Sequence, residues 1–262
     1  MSLSTLERSA SSPIDALLTL MHLIESADRH LKGHGIRTAR YAVALGHAVG
    51  FSPAELNDLC LASLLHDIGV LTLPKRILEK DGPLSDEEYA MVQSHSRAGA
   101  ELLAPIPVLR VAALWIAHHH ERWDGFGYPY GLRGTLIPLG ARILAVADTF
   151  DSLTSPQPYR AALESESALR LLQELAGSQL DPDLVALFIR SGLCHHSDGR
   201  GSRSSYPRPL IEHNEEMRHE GTSDKASIPC LPEVQRHAAD APRLDLGMPS
   251  MRLENHDRRG AP

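Results

Sequence analysis

Cysteine is scarce in this chain of 262 residues: Cys60, Cys194 and Cys230 are widely spaced and form no CxxC, which excludes a disulfide framework and a thiolate zinc site. Positive charge is not in excess. The formal net charge is −7, and a surface that reads DNA or RNA needs a basic footprint, so no nucleic-acid polymer is expected as partner. A small phosphorylated ligand held in a pocket stays compatible with that balance. Long apolar runs are absent too. The stretch 14–24 carries Asp15 and His22, is too short to span a bilayer, and lacks the basic flank and cleavage site of a signal peptide. A cytoplasmic protein with no membrane partner is expected. Aromatic residues are few as well, four Phe, two Trp and six Tyr, yet there are 15 His. With 42% hydrophobic and 23% charged residues the chain can bury an ordinary globular core, and it is the histidine excess that asks for a chemical reason.

Punctuation along the chain marks helices. Residues 1–12, rich in Ser, read as a flexible N-terminal arm. Ser12-Pro13 reads as an N-cap followed by Pro at the first helical position, with Ile14, Leu17, Leu18 and Met21 at helical spacing. A second helix begins around Gly33 to Gly35 and stops at Gly50. Ser52 and Glu55 form a capping box for a third, expected to end near Gly69, and Ser85 and Glu88 form another for a fourth, whose apolar face runs through Val92, Gly99 and Leu102. Val108, Val111, Ala112, Trp115 and Ile116 trace a fifth. The pattern then breaks into a loop holding Gly125, Gly127, Gly131 and Gly134, and helical spacing returns over 141–152, 166–176 and 182–191, the last capped by Asp181. No stretch alternates with period two for long, so the fold class is all-α. From 193 to 262 prolines interrupt any helix and apolar periodicity fades, so this segment reads as a disordered tail with solvated histidines. The folded domain is therefore expected over 13–192.

Within that domain, imidazoles and carboxylates sit at element ends. His34 opens the second helix, His66-Asp67 close the third, His95 lies on the fourth, His119-His120 close the fifth, and Asp148 follows the glycine loop. Taken singly, each such histidine, like His22 or His47, reads as a satisfied core or surface residue; the set is what carries weight. Mixed N/O donors without thiolate suit first-row metals such as Fe, Mn or Zn. An adjacent His-Asp pair can give one metal an imidazole while its carboxylate bridges to a second. Two metals about 3.5–4 Å apart generate a hydroxide at neutral pH and clamp a phosphoryl group for in-line displacement.

These residues resemble the HD-GYP domains, a branch of the HD phosphohydrolase superfamily. The likeness runs over about 25–188 and includes Gly33-His34 with Arg37, Leu64-Leu65-His66-Asp67-Ile68-Gly69, Glu87-Glu88 leading to His95, and His119-His120-Glu121. It continues through Trp123-Asp124-Gly125, Gly127-Tyr128-Pro129, Ile137-Pro138-Leu139, Ala141-Arg142-Ile143, Ala147-Asp148, Phe150-Asp151 and Pro158-Tyr159-Arg160. The resemblance implies a helical HD-domain bundle with a Gly-rich GYP loop that hydrolyses cyclic di-GMP, to pGpG or on to GMP, through a hydroxide bridging two divalent transition metals, Fe or Mn. By position, His34, His66, Asp67 and Asp148 would hold one metal. Asp67 would bridge to a second, held by His95, His119 and His120. His30 stands where some members have a ligand for a third metal; its alternative reading is an exposed helix-end histidine. Asp67, His66 and Asp151 are the candidate catalytic residues, with Asp151 and Glu121 placed to orient ligands or water. Arg37, Tyr128, Pro129 and Arg160 are the candidate substrate contacts. The loop is expected to form a lip over the site and to dock diguanylate cyclase (GGDEF) domains.

Two positions depart from the family pattern. Val70 stands where a Lys usually follows His-Asp-Ile-Gly, and Gln157 where an Arg usually precedes Pro-Tyr-Arg. Losing one transition-state donor typically costs about 10²–10³ in rate, and Gln cannot give Arg's bidentate contact. A working phosphodiesterase is the first expectation. Next come a catalytically weak cyclic di-GMP receptor or interaction module that keeps its metal site, and a phosphohydrolase of another nucleotide. No receiver or sensor domain is expected in this chain.

Overall fold

The computed structural model describes residues 13–28, 31–80, 82–156 and 161–193. Ten α-helices are present among them: α1 (Pro13–Ala27), α2 (His34–Val49), α3 (Pro53–Leu65), α4 (Lys75–Leu78), α5 (Asp86–Gln93), α6 (His95–Leu103), α7 (Arg110–His118), α8 (Leu139–Thr154), α9 (Ser165–Leu175) and α10 (Pro182–Arg190). The all-α reading holds, with no strand among the described residues beyond one isolated bridge between Ala176 and Leu180. None of these helices is long and apolar enough to cross a membrane. The N-terminal arm, the tail from 194 onward, His30, Gln157 and Arg160 lie outside the described residues. Leu193, at the head of the expected tail, packs into the core.

Local signals act where the spacing predicted. Gly50 ends α2 in the left-handed region (φ 98°), donating to the carbonyls of Gly46 and His47. Ser52 with Glu55 and Ser85 with Glu88 close reciprocal capping boxes at the starts of α3 and α5. Asp181 caps α10 by accepting from the N–H groups of Asp183 and Leu184.

The bundle is organised around α8, which is apolar nearly all round: Ile143, Leu144, Val146, Ala147 and Phe150 are fully buried. Phe150 meets Tyr41 of α2 edge-on at 5.0 Å and Phe188 of α10 at 5.0 Å, tying three helices together. Because α8 is enclosed, its two acidic residues, Asp148 and Asp151, one turn apart on one face, must look into protein. They face His34 and Arg37, also one turn apart, at the start of α2.

Two expected helices come out differently. The third stops at Leu65 rather than near Gly69: Asp67 takes φ −90°, ψ 6°, and Ile68–Thr72 form a 3₁₀ turn. That turn crosses the start of α6 so closely that a Cβ on Gly69 would lie 1.8 Å from the His95 carbonyl oxygen, which only glycine permits. The crossing sets His66 and Asp67 against His95. The fourth helix is divided at Ser94 into α5 and α6, and at the break the His95 ring donates from Nδ1 to the Val92 carbonyl at 2.7 Å. The short α4 carries no sequence signal of its own.

Candidate metal centre

Four helix ends and one helix face converge. His34 comes from the start of α2, His66 and Asp67 from just past α3, His95 from the start of α6, His119 and His120 from just past α7, and Asp148 from α8. Helix termini carry unpaired backbone groups, which are used here to aim side chains. His66 donates from Nδ1 to the Ser63 carbonyl (2.8 Å), His95 to that of Val92 (2.7 Å) and His119 to that of Ile116 (2.6 Å). Each carbonyl lies three residues earlier, so one local device, used three times, fixes the tautomer and turns a bare Nε2 inward. His34 is aimed differently: its Nδ1 donates to Asp151 Oδ2 at 2.7 Å.

The inward atoms crowd together. His34 Nε2 lies 3.2 Å from His66 Nε2 and 3.1 Å from Asp148 Oδ1. Asp67 sits between the two ends, with Oδ2 3.2 Å from His66 Nε2 and Oδ1 3.7 Å from His95 Nε2. His95 and His120 face each other Nε2 to Nε2 at 3.2 Å. His119 Nε2 is buried with no hydrogen-bond partner. Paired lone pairs and an orphaned buried nitrogen are costly unless an electrophile sits among them. The donor atoms of His34, His66 and Asp148 lie within 4.8 Å of one another, as do those of His66, Asp67 and His119 and those of His95, His119 and His120. Imidazole and carboxylate donors at this spacing fit divalent transition metals.

Neighbours set the charge of each group. Burial alone would lower the His34 pKa, but its hydrogen bonds to Asp148 and Asp151 and the nearby Asp67 carboxylate raise it to about 10. Burial and the adjoining His66 and His95 lower His119 to about 3, and burial with His119 and His95 holds His120 well below its ordinary value. Asp67 and Asp148 are buried, yet the surrounding histidines keep both carboxyls below the usual range.

The remaining expected site residues are placed as follows. Arg37 forks onto Asp151, Nε to Oδ1 at 2.7 Å and Nη2 to Oδ2 at 3.1 Å, with Nη1 on the Lys32 carbonyl at 3.3 Å. Its guanidinium thus backs the carboxylate that holds His34. Asp151 is almost fully buried behind His34 and reaches the cluster through that ring. Val70 is buried in the 3₁₀ turn. Tyr128 stacks on the His120 ring at 4.8 Å and an interplanar angle of 30°, and Pro129 beside it is half-buried. Glu121 holds the loop: its carboxylate accepts from the N–H groups of Tyr130 at 2.7 Å and Leu132 at 2.9 Å, while burial raises its pKa. Sequence reasoning missed the clamp on the other side of the loop. Arg142 donates to Asp181 at 2.6 Å and lies over Trp123 at 5.7 Å, and no local signal links positions 39 apart.

A bundle whose helix ends gather histidines and aspartates in this way matches a known class. An HD domain family model covers residues 19–184, well over half of the chain, and the chain belongs to that family. The resemblance to the HD-GYP branch agrees with its relatives. The cyclic di-GMP phosphodiesterase response regulator RpfG of Xanthomonas campestris pv. campestris is 38% identical over 67% of this chain and 47% of its own length. The 3'3'-cGAMP-specific phosphodiesterase 2 of Vibrio cholerae is 34% identical over 74% of this chain and 37% of its own. The chain thus spans less than half the length of these curated relatives. Among solved structures, Bd1817, an HDG"Y"P protein from Bdellovibrio bacteriovorus, superposes with a TM-score of 0.50 at 22% identity, covering 60% of this chain and 51% of that one, a likeness of fold.

Proposed function

We propose that this chain is a metal-dependent phosphodiesterase of cyclic dinucleotides, with cyclic di-GMP as its substrate and pGpG or GMP as product. The observation that carries the reading is the set of buried imidazoles whose Nδ1 atoms are tied outward and whose Nε2 atoms meet around Asp67. His34, His66, Asp67 and Asp148 would hold one divalent ion, Fe or Mn, and His95, His119 and His120 with Asp67 a second. Bound there, such ions supply Lewis acidity toward a phosphodiester and a water acidic enough to react near neutral pH.

The rest is the work of the protein's own groups. The three carbonyl anchors hold His66, His95 and His119 in the donor tautomer, so none of them must rotate or shed a proton to present its Nε2. Asp151, clamped by Arg37, keeps His34 Nδ1 protonated and its Nε2 directed at Asp148. Asp67 and Asp148 stay ionised and offset the positive charge of the ions. The glycine loop stands beside His120 and exposes Phe126, Tyr130 and Leu136, an apolar rim suited to stacking on a base or docking a GGDEF domain.

One observation favours a second reading, a weakly active receptor: Val70 is apolar and buried where a Lys donor is the family's pattern. A relative specific for a different cyclic dinucleotide favours instead a phosphodiesterase of another nucleotide. The test is hydrolysis of cyclic di-GMP and 3'3'-cGAMP by protein loaded anaerobically with Mn(II) or Fe(II). Turnover that disappears in Asp67→Ala supports the enzyme; binding of cyclic di-GMP without turnover supports the receptor. Val70→Lys is expected to raise turnover by up to about 10²-fold, the scale of one restored transition-state donor.

A further inference from the structure

The glycine loop and the imidazole end of the cluster share one piece of backbone. His119 and His120 follow α7 directly, Glu121 comes next, and the loop folds back over them. Tyr128 donates its N–H to the His120 carbonyl at 3.2 Å while its ring lies on the His120 imidazole. Past Tyr128, the N–H groups of Tyr130 and Leu132 close onto Glu121. There is no slack between the layers: a Cβ on Gly127 would sit 2.2 Å from the Arg122 nitrogen and 2.5 Å from the His120 oxygen. Lifting the loop therefore disturbs His120.

His120 is also held unlike its neighbours. His66, His95 and His119 each have an Nδ1 anchored on a carbonyl three residues back; among the described residues His120 has no such anchor, and its ring is packed between those of His119 at 3.9 Å and Tyr128 at 4.8 Å, of which Tyr128 is the one carried by the loop. Its Nε2 points at His95 Nε2, 3.2 Å away.

We propose that Tyr128 is the positioning residue for His120, so that occupation of the His95–His119–His120 group and the order of the loop over 121–136 form one coupled equilibrium. This rests on the metal-binding reading above. A divalent ion held by His120 would fix its ring and give Tyr128 a rigid face to stack on; the seated loop in turn holds the ring in its ligating orientation. Linkage makes the two effects equal in free energy. The loop's exposed Phe126 and Tyr130 would then be presented in one arrangement when the site is loaded and in several when it is not, which makes the rim a reporter of metal state.

The experiment uses the full chain with Mn(II) as the probe, without substrate. Mn(II) affinity is measured by calorimetry, and hydrogen exchange is followed at the amides of Tyr130 and Leu132. Tyr128→Ala is expected to weaken Mn(II) binding about 10-fold, the lower scale for losing a group that orients a ligand, and to abolish Mn(II)-dependent slowing of exchange. Tyr128→Phe, which keeps the ring face, is expected to retain both. Equal Mn(II) affinity in Tyr128→Ala and wild type, or loop exchange in wild type that ignores Mn(II), overturns the coupling and leaves the metal site standing. No Mn(II) binding to wild type overturns both. The wild-type exchange measurement decides the matter even if Tyr128→Ala does not fold.

Discussion

The two ends of the cluster use the same side chain in opposite ways. At the α2–α8 end His34 lies between Asp148 and Asp151, and Arg37 braces the second carboxylate from behind. At the α6–α7 end His95, His119 and His120 have one another for neighbours, with Asp67 the nearest carboxylate, touching His95. The first environment raises an imidazole pKa to about 10 and the second lowers one to about 3. Without metal, one end is satisfied by a proton and the other is left with bare lone pairs. The difference teaches that the ends carry different stability costs: the carboxylate end is held by ion pairs, whereas the imidazole end is a strained arrangement that the fold imposes and a metal would relieve.

The sharpest way to break the comparison is to remove one histidine from each end and measure urea unfolding in chelator. His34→Leu strips Asp148 of its nearest imidazole partner and leaves Asp151 with Arg37 as its charged partner, and is expected to destabilise by about 3–5 kcal/mol, the scale for one partner taken from a buried ion pair. His119→Leu removes the orphaned Nε2 but also the Nδ1 bond to the Ile116 carbonyl, and is expected to stabilise by about 1 kcal/mol net while eliminating Mn(II) binding at that end. Effects of the same sign would mean that the ends do not differ as described.

A pH series sharpens the contrast further. His34, with its pKa raised from 6.5 to about 10, gives stability that is full below 6.5 and is lost as pH climbs through about 10. His119, lowered from 6.5 to about 3, adds no proton-linked cost above 6.5 and destabilises as pH falls toward 3, because the unfolded chain takes up the proton first. The advantage of His119→Leu over wild type should therefore be larger at about pH 5 than at about pH 7 in chelator. The smallest expected effect is at the loop. Glu121→Gln keeps an acceptor for one of the two N–H groups and offers an NH₂ to the other, which should cost about 1 kcal/mol and speed proteolysis within 121–136.

Much of this is legible in the sequence. The capping boxes at Ser52 and Ser85 and the cap at Asp181 act within a few residues and behave as read. His34, His66, Asp67, His95, His119, His120 and Asp148 come together, while His30 lies outside the described residues; His34, His66-Asp67 and His119-His120 are legible as element ends, whereas His95 and Asp148 lie within single helices as the sequence reads. The sequence offers Arg37 as a substrate contact, but its partner Asp151 lies 114 positions away and is reached only when α2 packs on α8. The break at Ser94 was hidden because the capping box and apolar face on either side describe one uninterrupted helix. Tyr128 was expected to face a ligand; its stacking on His120 depends on the path of a loop whose glycines leave many paths open.

Short-range chemistry, then, was determined by the residues themselves: where helices start and stop, that no sheet forms, and which side chains could bind a metal. Even the inward aim of His66, His95 and His119 is partly local, since each ring reaches a carbonyl three residues back. Which imidazole would gain a proton and which would lose one was decided only by tertiary packing. Electrostatic energy depends on distances and burial across elements far apart in the chain, and those are set by how α2, α3, α6, α7 and α8 bury their apolar faces together.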